Sequence, residues 1–119
     1  MIHFRGKVRH GNKRGKALGL PTANTPLHIS ISEGIYLSSV TIKKKRYSAL
    51  TFIGKANTFS NAVYQAETYI LNFYEDIYGA WMGVHLLKKI RDNQTFTSEK
   101  DLIIQMESDK KEAEEYFGL

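Results

Sequence analysis

The sequence has no cysteine, only two prolines and no long apolar run. The absence of cysteine excludes disulfide bonds, zinc–thiolate sites and cysteine nucleophiles. No uninterrupted apolar segment approaches the roughly 20 residues needed to span a bilayer. Residues 1–9 alternate between polar and apolar side chains and lack the apolar centre of a signal peptide. We therefore expect a cytoplasmic protein that has no membrane partner.

The chain has 119 residues, of which 42% are hydrophobic, and its formal net charge is +5. This length and composition predict one packed domain, residues 1–119, with one continuous core. Basic side chains concentrate in residues 5–16 and again in residues 43–46. Such a charge distribution suits a polyanionic partner, and a nucleoside triphosphate and a nucleic acid would both fit.

Alternation of apolar and polar residues predicts a series of strands followed by a single helix. The period of two appears in residues 4–8, 34–42, 46–53, 63–73 and 81–90, and a lysine-rich turn between the second and third segments indicates a hairpin. Ser98 followed by Asp101 resembles a capping box, and apolar residues at helical spacing then predict a helix over residues 99–117. Strands followed by one helix favour a mostly antiparallel barrel of five or six strands.

The segment from residue 11 to residue 24 does not have the pattern of a strand, a helix or an ordinary turn. Its three glycines lie four residues apart among Lys and Arg, so the backbone could approach an anion closely. A P-loop is excluded because Ala17 follows Lys16, and a Rossmann fingerprint is excluded because no helical pattern follows. From composition alone, a flexible solvated loop remains the ordinary interpretation.

The end of this segment, Pro21-Thr22-Ala23-Asn24, suggests a metal–phosphate site. Proline restricts the backbone, so Thr22 and Asn24 would project to the same side of an extended segment. A hydroxyl and an amide oxygen suit Mg²⁺ when phosphate oxygens complete its coordination. A Pro-Thr/Asn turn with local side-chain hydrogen bonds is the alternative that composition leaves open.

These segments together resemble the signature of the riboflavin kinase family. The family includes stand-alone flavokinases and the C-terminal module of bifunctional bacterial FAD synthetases. The likeness covers nearly the whole chain, and Pro-Thr-Ala-Asn after a basic glycine-rich loop is its most specific part. The matching residues are Gly6-Lys7-Val8, His10-Gly11, Arg14-Gly15, Leu18-Gly19, Pro21 to Asn24, Gly34-Ile35-Tyr36, Ile53-Gly54, Thr58-Phe59, Glu67, Tyr78-Gly79, Ile90-Arg91, Phe96, Leu102, Asp109 and Ala113.

The resemblance implies a closed six-stranded antiparallel Greek-key barrel with one C-terminal helix. It implies an ATP:riboflavin 5′-phosphotransferase that converts riboflavin and ATP into FMN and ADP, with Mg²⁺ and without a tightly held organic cofactor. Glu67 is implied as the catalytic base, and Thr22 and Asn24 as the metal ligands. The implied ATP contacts are Gly11, Gly15, Lys16, Gly19, Pro21, Thr22 and Asn24, and Arg91 is implied beside the flavin. Because riboflavin needs a flat apolar slot, Phe96 and Met82 are further candidate flavin contacts, with a place in the core or at its rim as the alternative for each.

Other interpretations stay open at this point. From the sequence alone, Glu67 could be a strand-end glutamate that is solvated or paired with a lysine. The chain departs from the family's common pattern at residues 55–58, where a proline is missing, and at Asn93, where an acid is usual. These departures are compatible with a flavin-binding paralogue without turnover. The basic charge is compatible with a barrel that binds nucleic acid.

Two further expectations concern metals and the extent of the protein. The four histidines have no ligand-type spacing, so no histidine metal site is expected. No segment resembles the nucleotidyltransferase module that makes FAD, and the chain could be a stand-alone kinase or part of a bifunctional enzyme. We expect a monomer that binds no nucleic acid.

Overall fold

A computed structural model of the chain describes residues 2–9, 22–58, 61–73 and 75–119, and of residues 22, 56–58 and 61–63 it describes the backbone only. Within these ranges, six strands precede one helix. They are β1 (Ile2–Lys7), β2 (Thr22–Pro26), β3 (Gly34–Ile42), β4 (Lys45–Thr58), β5 (Asn61–Ile70), β6 (Trp81–Arg91) and α1 (Glu99–Phe117).

The strands form one antiparallel sheet in the order β1-β6-β3-β4-β5-β2. The sheet curls into a nearly closed barrel, because a backbone bridge joins Arg9, just after β1, to Asn24 of β2. The predicted mostly-β architecture with a C-terminal helix is therefore confirmed. None of the described helical residues belongs to a helix long and apolar enough to cross a membrane.

The sheet buries side chains on both of its faces. One face fills the barrel interior, where Val40, Ile53 and Ile70 are completely buried. The other face of β3, β4 and β5 packs against α1, whose Met106 and Ala113 are buried there. The helix thus covers one part of the outer surface of the barrel.

Helix α1 has the bounds that the sequence predicts. The Ser98 hydroxyl accepts a hydrogen bond from the backbone N–H of Asp101 at 3.2 Å, which caps the first turn. Gly118 ends the helix in the left-handed conformation, and its N–H bonds back to carbonyls of the last turn. The cap and the apolar stripe fix where the helix begins and which side faces the sheet.

Strand β2 is an element that the sequence pattern does not predict. Thr22–Pro26 has no apolar alternation and ends in proline, a residue disfavoured inside sheets. It forms a strand because it pairs with β5 along one edge and bridges to Arg9 on the other. Tertiary pairing here overrides local propensity.

The hairpin between β3 and β4 provides a test of local strain. Its two turn residues, Lys43 and Lys44, have φ angles of 51° and 68°, as a type I′ turn requires. A left-handed conformation costs an L-residue about 1–2 kcal/mol, whereas glycine adopts it freely. Lys44→Gly is therefore expected to raise the free energy of unfolding by about 1 kcal/mol in urea titrations. Lys45→Gly, inside β4, should lower it, and a loss of stability in both variants would contradict the strain.

Candidate active site

Strands β2 and β5 place Asn24 directly opposite Glu67. The backbone N–H and C=O of Asn24 both bond to Arg9, so Asn24 and Glu67 form a non-hydrogen-bonded pair. Pairs of this kind bring the opposing Cα atoms to about 4.5 Å and their side chains closest together. Asn24 is 3% exposed and Glu67 is completely buried. The Glu67 carboxylate therefore lies beside the predicted metal-binding segment and away from bulk water.

Two neighbours on β5 hydrogen-bond to this pair. The Tyr69 hydroxyl donates to Glu67 Oε1 at 3.2 Å, and Gln65 Nε2 donates to Asn24 Oδ1 at 2.8 Å. Gln65, Glu67 and Tyr69 are two residues apart in sequence and therefore lie on one face of the strand. The buried Asn24 Nδ2 has no hydrogen-bond partner among the described residues. We call these four residues the Asn24–Glu67 cluster.

A mostly apolar cleft opens between the outer face of the sheet and α1. Apolar side chains of β3, β4, β5 and α1 form its walls, and polar groups occupy one end. The lining residues are Ile35, Leu50, Phe52, Tyr69, Arg91, Gln94, Phe96, Leu102, Met106 and Asp109. An apolar slot with a few polar groups is the common form of a small-molecule site.

An ion pair closes the polar end of the cleft. Arg91, the last residue of β6, donates from Nε to Asp109 Oδ1 at 2.9 Å and from Nη2 to Asp109 Oδ2 at 2.7 Å. Gln105, one turn earlier on α1, also donates to Asp109 Oδ1, at 3.1 Å. The two-point geometry fixes the guanidinium plane and ties the helix to the sheet.

One row of paired residues crosses the sheet from the cluster to this ion pair. Glu67, opposite Asn24, also pairs with Phe52, which pairs with Ile35, which in turn pairs with Arg91. Directly paired residues of antiparallel strands share one face of the sheet. The cluster therefore lies at one end of a continuous surface, and Arg91 lies at the other.

The loop after β6 packs tightly against β4. Asn93 Nδ2 donates to the Ile53 carbonyl at 3.2 Å. A Cβ atom on the neighbouring Gly54 would lie 2.8 Å from the Phe52 ring and 3.0 Å from Asn93 Nδ2. Glycine at position 54 thus leaves room for both the Phe52 ring and Asn93. Asn93, where the family commonly has an acid, therefore makes a structural contact with β4.

The structure brings together several of the predicted site residues. Asn24 and Glu67 are adjacent, and Arg91 and Phe96 both line the cleft. Met82 differs, because it is completely buried in the barrel interior and does not line the cleft. Residues 82, 84 and 86 of β6 all point inward, so we do not carry Met82 into the flavin site. Other predicted contacts lie outside the described residues, namely Gly11, Gly15, Lys16, Gly19, Pro21 and the side chain of Thr22.

Sequence reasoning did not assign roles to Gln65 and Tyr69. Both sit two residues from Glu67, so the period of β5 could have placed them on its face. The contact of Gln65 with Asn24 depends on the pairing of β2 with β5, which the sequence did not reveal, whereas Tyr69 contacts Glu67 within β5 itself. The signal was present in the spacing, but the partner strand was not recognised.

The cluster offers oxygen ligands of the type that Mg²⁺ prefers. Among the residues with described positions, no group of three or more His, Cys, Asp and Glu side chains could hold a metal ion. The side-chain amide oxygen of Asn24, Oδ1, is a hard oxygen donor, and Mg²⁺ commonly binds through one or two protein ligands plus substrate phosphates. The residues present therefore fit a Mg²⁺ ion that arrives with a phosphate ligand.

Comparison with known proteins gives consistent matches over nearly the whole chain. The family model described as "Flavokinase: Riboflavin kinase" matches residues 1–117. The chain is 37% identical over 117 residues to the bifunctional riboflavin kinase/FMN adenylyltransferase of Escherichia coli K12, covering 96% of this chain and 37% of that protein. The chain spans less than two fifths of the length of such curated relatives.

Two solved structures share the fold. The riboflavin kinase of Trypanosoma brucei superposes with a TM-score of 0.65 at 25% identity, covering 98% of this chain and 79% of that one. A structure described as a macrolide-efflux protein from Streptococcus pneumoniae superposes with a TM-score of 0.80 at 36% identity, covering 92% of this chain and 37% of that one.

Proposed function

Because the chain belongs to the riboflavin kinase family, we propose that it transfers the γ-phosphoryl group of ATP to the 5′-hydroxyl of riboflavin. The observation that carries this proposal is the buried Glu67 carboxylate, paired with Asn24 and connected along one sheet face to the apolar cleft. This arrangement supports a phosphoryl donor at one end of the surface and a flat aromatic acceptor at the other.

Glu67 acts as the general base in the proposed reaction. Its carboxylate takes the proton of the 5′-hydroxyl while that oxygen bonds to the γ-phosphorus and the bond from phosphorus to the β,γ-bridging oxygen breaks. The electron pair of the broken bond leaves with ADP, and Glu67 becomes a neutral acid. Burial keeps water, a competing acceptor, away from the carboxylate.

Asn24 and Thr22 are proposed to hold Mg²⁺ together with the nucleotide phosphates. The ion would supply positive charge against the charge carried by the transferring phosphoryl group. We assign the remaining nucleotide contacts to Gly11, Gly15, Lys16, Gly19 and Pro21, in keeping with the family likeness of that segment. Backbone N–H groups of a glycine-rich basic loop suit phosphate oxygens.

The cleft is the proposed flavin site. Phe52, Tyr69 and Phe96 offer ring faces for a planar isoalloxazine, and Leu102 and Met106 extend the apolar wall. Arg91 stands at the polar end, where a guanidinium can meet the carbonyl edge of the ring. Tyr69 both lines this cleft and donates to Glu67, so it connects the two halves of the site.

Tyr69→Phe tests this connection. The variant keeps the ring in the cleft but removes the hydroxyl that orients the Glu67 carboxylate. We expect the turnover number to fall roughly tenfold, the value of a charge-assisted hydrogen bond, while the KM for riboflavin changes little. Steady-state kinetics of FMN formation measures both. A large rise in KM with unchanged turnover would instead assign Tyr69 to flavin binding alone.

The proposed function has a direct test. Purified protein is incubated with ATP, MgCl₂ and riboflavin, and FMN and ADP are quantified by chromatography. We expect one ADP for each FMN and no product without metal. Tight binding of riboflavin without FMN would identify a non-catalytic paralogue, and salt-sensitive binding of oligonucleotides without turnover would favour the nucleic-acid alternative.

A further inference from the structure

The side chain of Asn24 is held in one orientation by a second amide. Gln65 Nε2 donates to Asn24 Oδ1 at 2.8 Å across the pair of β2 and β5, from the position diagonal to Asn24 and two residues before Glu67. Asn24 is buried and Gln65 is half-buried, so water competes little for this bond. The contact therefore determines which end of the Asn24 carboxamide faces away from Gln65.

The orientation seen here presents a donor. With Oδ1 bonded to Gln65, the Nδ2 group of Asn24 points the other way, is buried, and has no acceptor within the described part of the chain. A buried unpaired N–H is unfavourable, so an orientation in which Nδ2 has an acceptor is favoured once a ligand is available to satisfy Oδ1. A metal ion requires the opposite, because only Oδ1 can be a ligand.

We propose that Gln65 is a positioning residue whose side-chain amide flips together with that of Asn24 when a metal–nucleotide complex binds. In this flip, the oxygen and the nitrogen of each amide exchange places. This inference rests on the proposed function. Before binding, Gln65 donates to Asn24 Oδ1. After binding, the Asn24 Nδ2 group donates to Gln65 Oε1, and Asn24 Oδ1 faces the metal.

Glutamine suits this role because its neutral amide carries both a donor and an acceptor. The pair can exchange roles and keep one hydrogen bond in either state, so neither state leaves both amides unpaired. Methionine has a similar length but cannot replace the amide in either state. Glutamate can accept from Asn24 Nδ2 but cannot donate, so it favours the metal-bound orientation.

The most direct test follows the side-chain amide protons by NMR in the full 119-residue chain. In the free protein we expect the Gln65 amide to be protected from exchange as the donor. On addition of Mg²⁺ and ADP, protection should move to the Asn24 amide. Protection that stays on Gln65 in the bound state would overturn the proposal, because Asn24 Oδ1 would then serve Gln65 and metal at once. This measurement uses the wild-type protein and does not depend on how variants fold.

Binding of Mn²⁺–ADP, measured by calorimetry, provides a second test. Gln65→Met is expected to weaken this binding roughly tenfold, with the KM for riboflavin unchanged. Gln65→Glu should recover most of the loss, although its charge opposes the net negative charge of the nucleotide complex. Gln105→Met, the same substitution on α1 beside the Arg91–Asp109 ion pair, should leave Mn²⁺–ADP affinity unchanged. Equal affinity in Gln65→Met and the wild type would contradict the positioning role.

The two proposals fail in different ways. A wild-type protein that neither binds Mn²⁺–ADP nor forms FMN would refute the proposed function. A wild-type protein that does both, while Gln65→Met matches it and the amide protection stays on Gln65, would refute only the role of Gln65.

Discussion

Glu67→Gln is expected to lower the turnover number for FMN formation by roughly a thousandfold, within the range measured for general bases. The amide has nearly the same size as the carboxylate, and its oxygen can still accept the Tyr69 hydroxyl bond. It cannot, however, take the proton of the attacking hydroxyl. Glu67 is completely buried opposite Asn24, so the strand pairing itself sets the position of the carboxylate that the variant removes.

Binding measurements separate this effect from damage to the site. Mn²⁺–ADP affinity in Glu67→Gln should stay close to that of the wild type, and thermal unfolding should show an intact fold. Glu75→Gln, which makes the same change at an exposed position, should retain full activity. Near-normal turnover in Glu67→Gln would remove the base role and leave positioning and charge neutralisation as the only means of catalysis.

Asp109→Asn is expected to lower the free energy of unfolding by about 3 kcal/mol. The Arg91 and Asp109 side chains are only 18% and 7% exposed, so the lost charge leaves a poorly solvated guanidinium without its counter-ion. The free energy of unfolding of a small domain is about 5–15 kcal/mol, so a loss of this size is a large fraction of the total stability. Urea titration and thermal unfolding measure it.

The matched control is Gln105→Met, which removes one hydrogen bond to the same carboxylate and leaves the ion pair. A loss of about 1 kcal/mol is expected there. Riboflavin affinity should fall in Asp109→Asn because Arg91 at the end of the cleft loses its fixed orientation. Equal stability of the two variants would show that the ion pair does not hold α1 on the sheet.

Local signals in the sequence were sufficient for the helix and the hairpin. Ser98 and the apolar stripe fix α1 because capping and helical period depend only on neighbouring residues. The alternating segments 34–42 and 46–53 predict a hairpin with a lysine-rich turn, and the structure places the two turn residues at Lys43 and Lys44. Both features are determined within a few residues of the chain.

The pairing of distant strands was beyond the sequence pattern. β2 contains proline and asparagine and becomes a strand only through β5 and Arg9. The same missing register hid Gln65 as a neighbour of Asn24. Met82 illustrates a related limit, because apolarity alone did not tell the barrel interior from the cleft. Glu67 and Asn24 were found through family likeness, and the structure supplies their adjacency.

The measurement that tests the account most directly is a crystal structure of the protein with Mg²⁺, ADP and riboflavin bound. The account predicts the isoalloxazine ring in the cleft against Phe52 and Tyr69, and the 5′-oxygen of the ribityl chain about 2.6–3.2 Å from the Glu67 carboxylate. A flavin bound elsewhere, or a 5′-hydroxyl that reaches Glu67 neither directly nor through one water molecule, would contradict it.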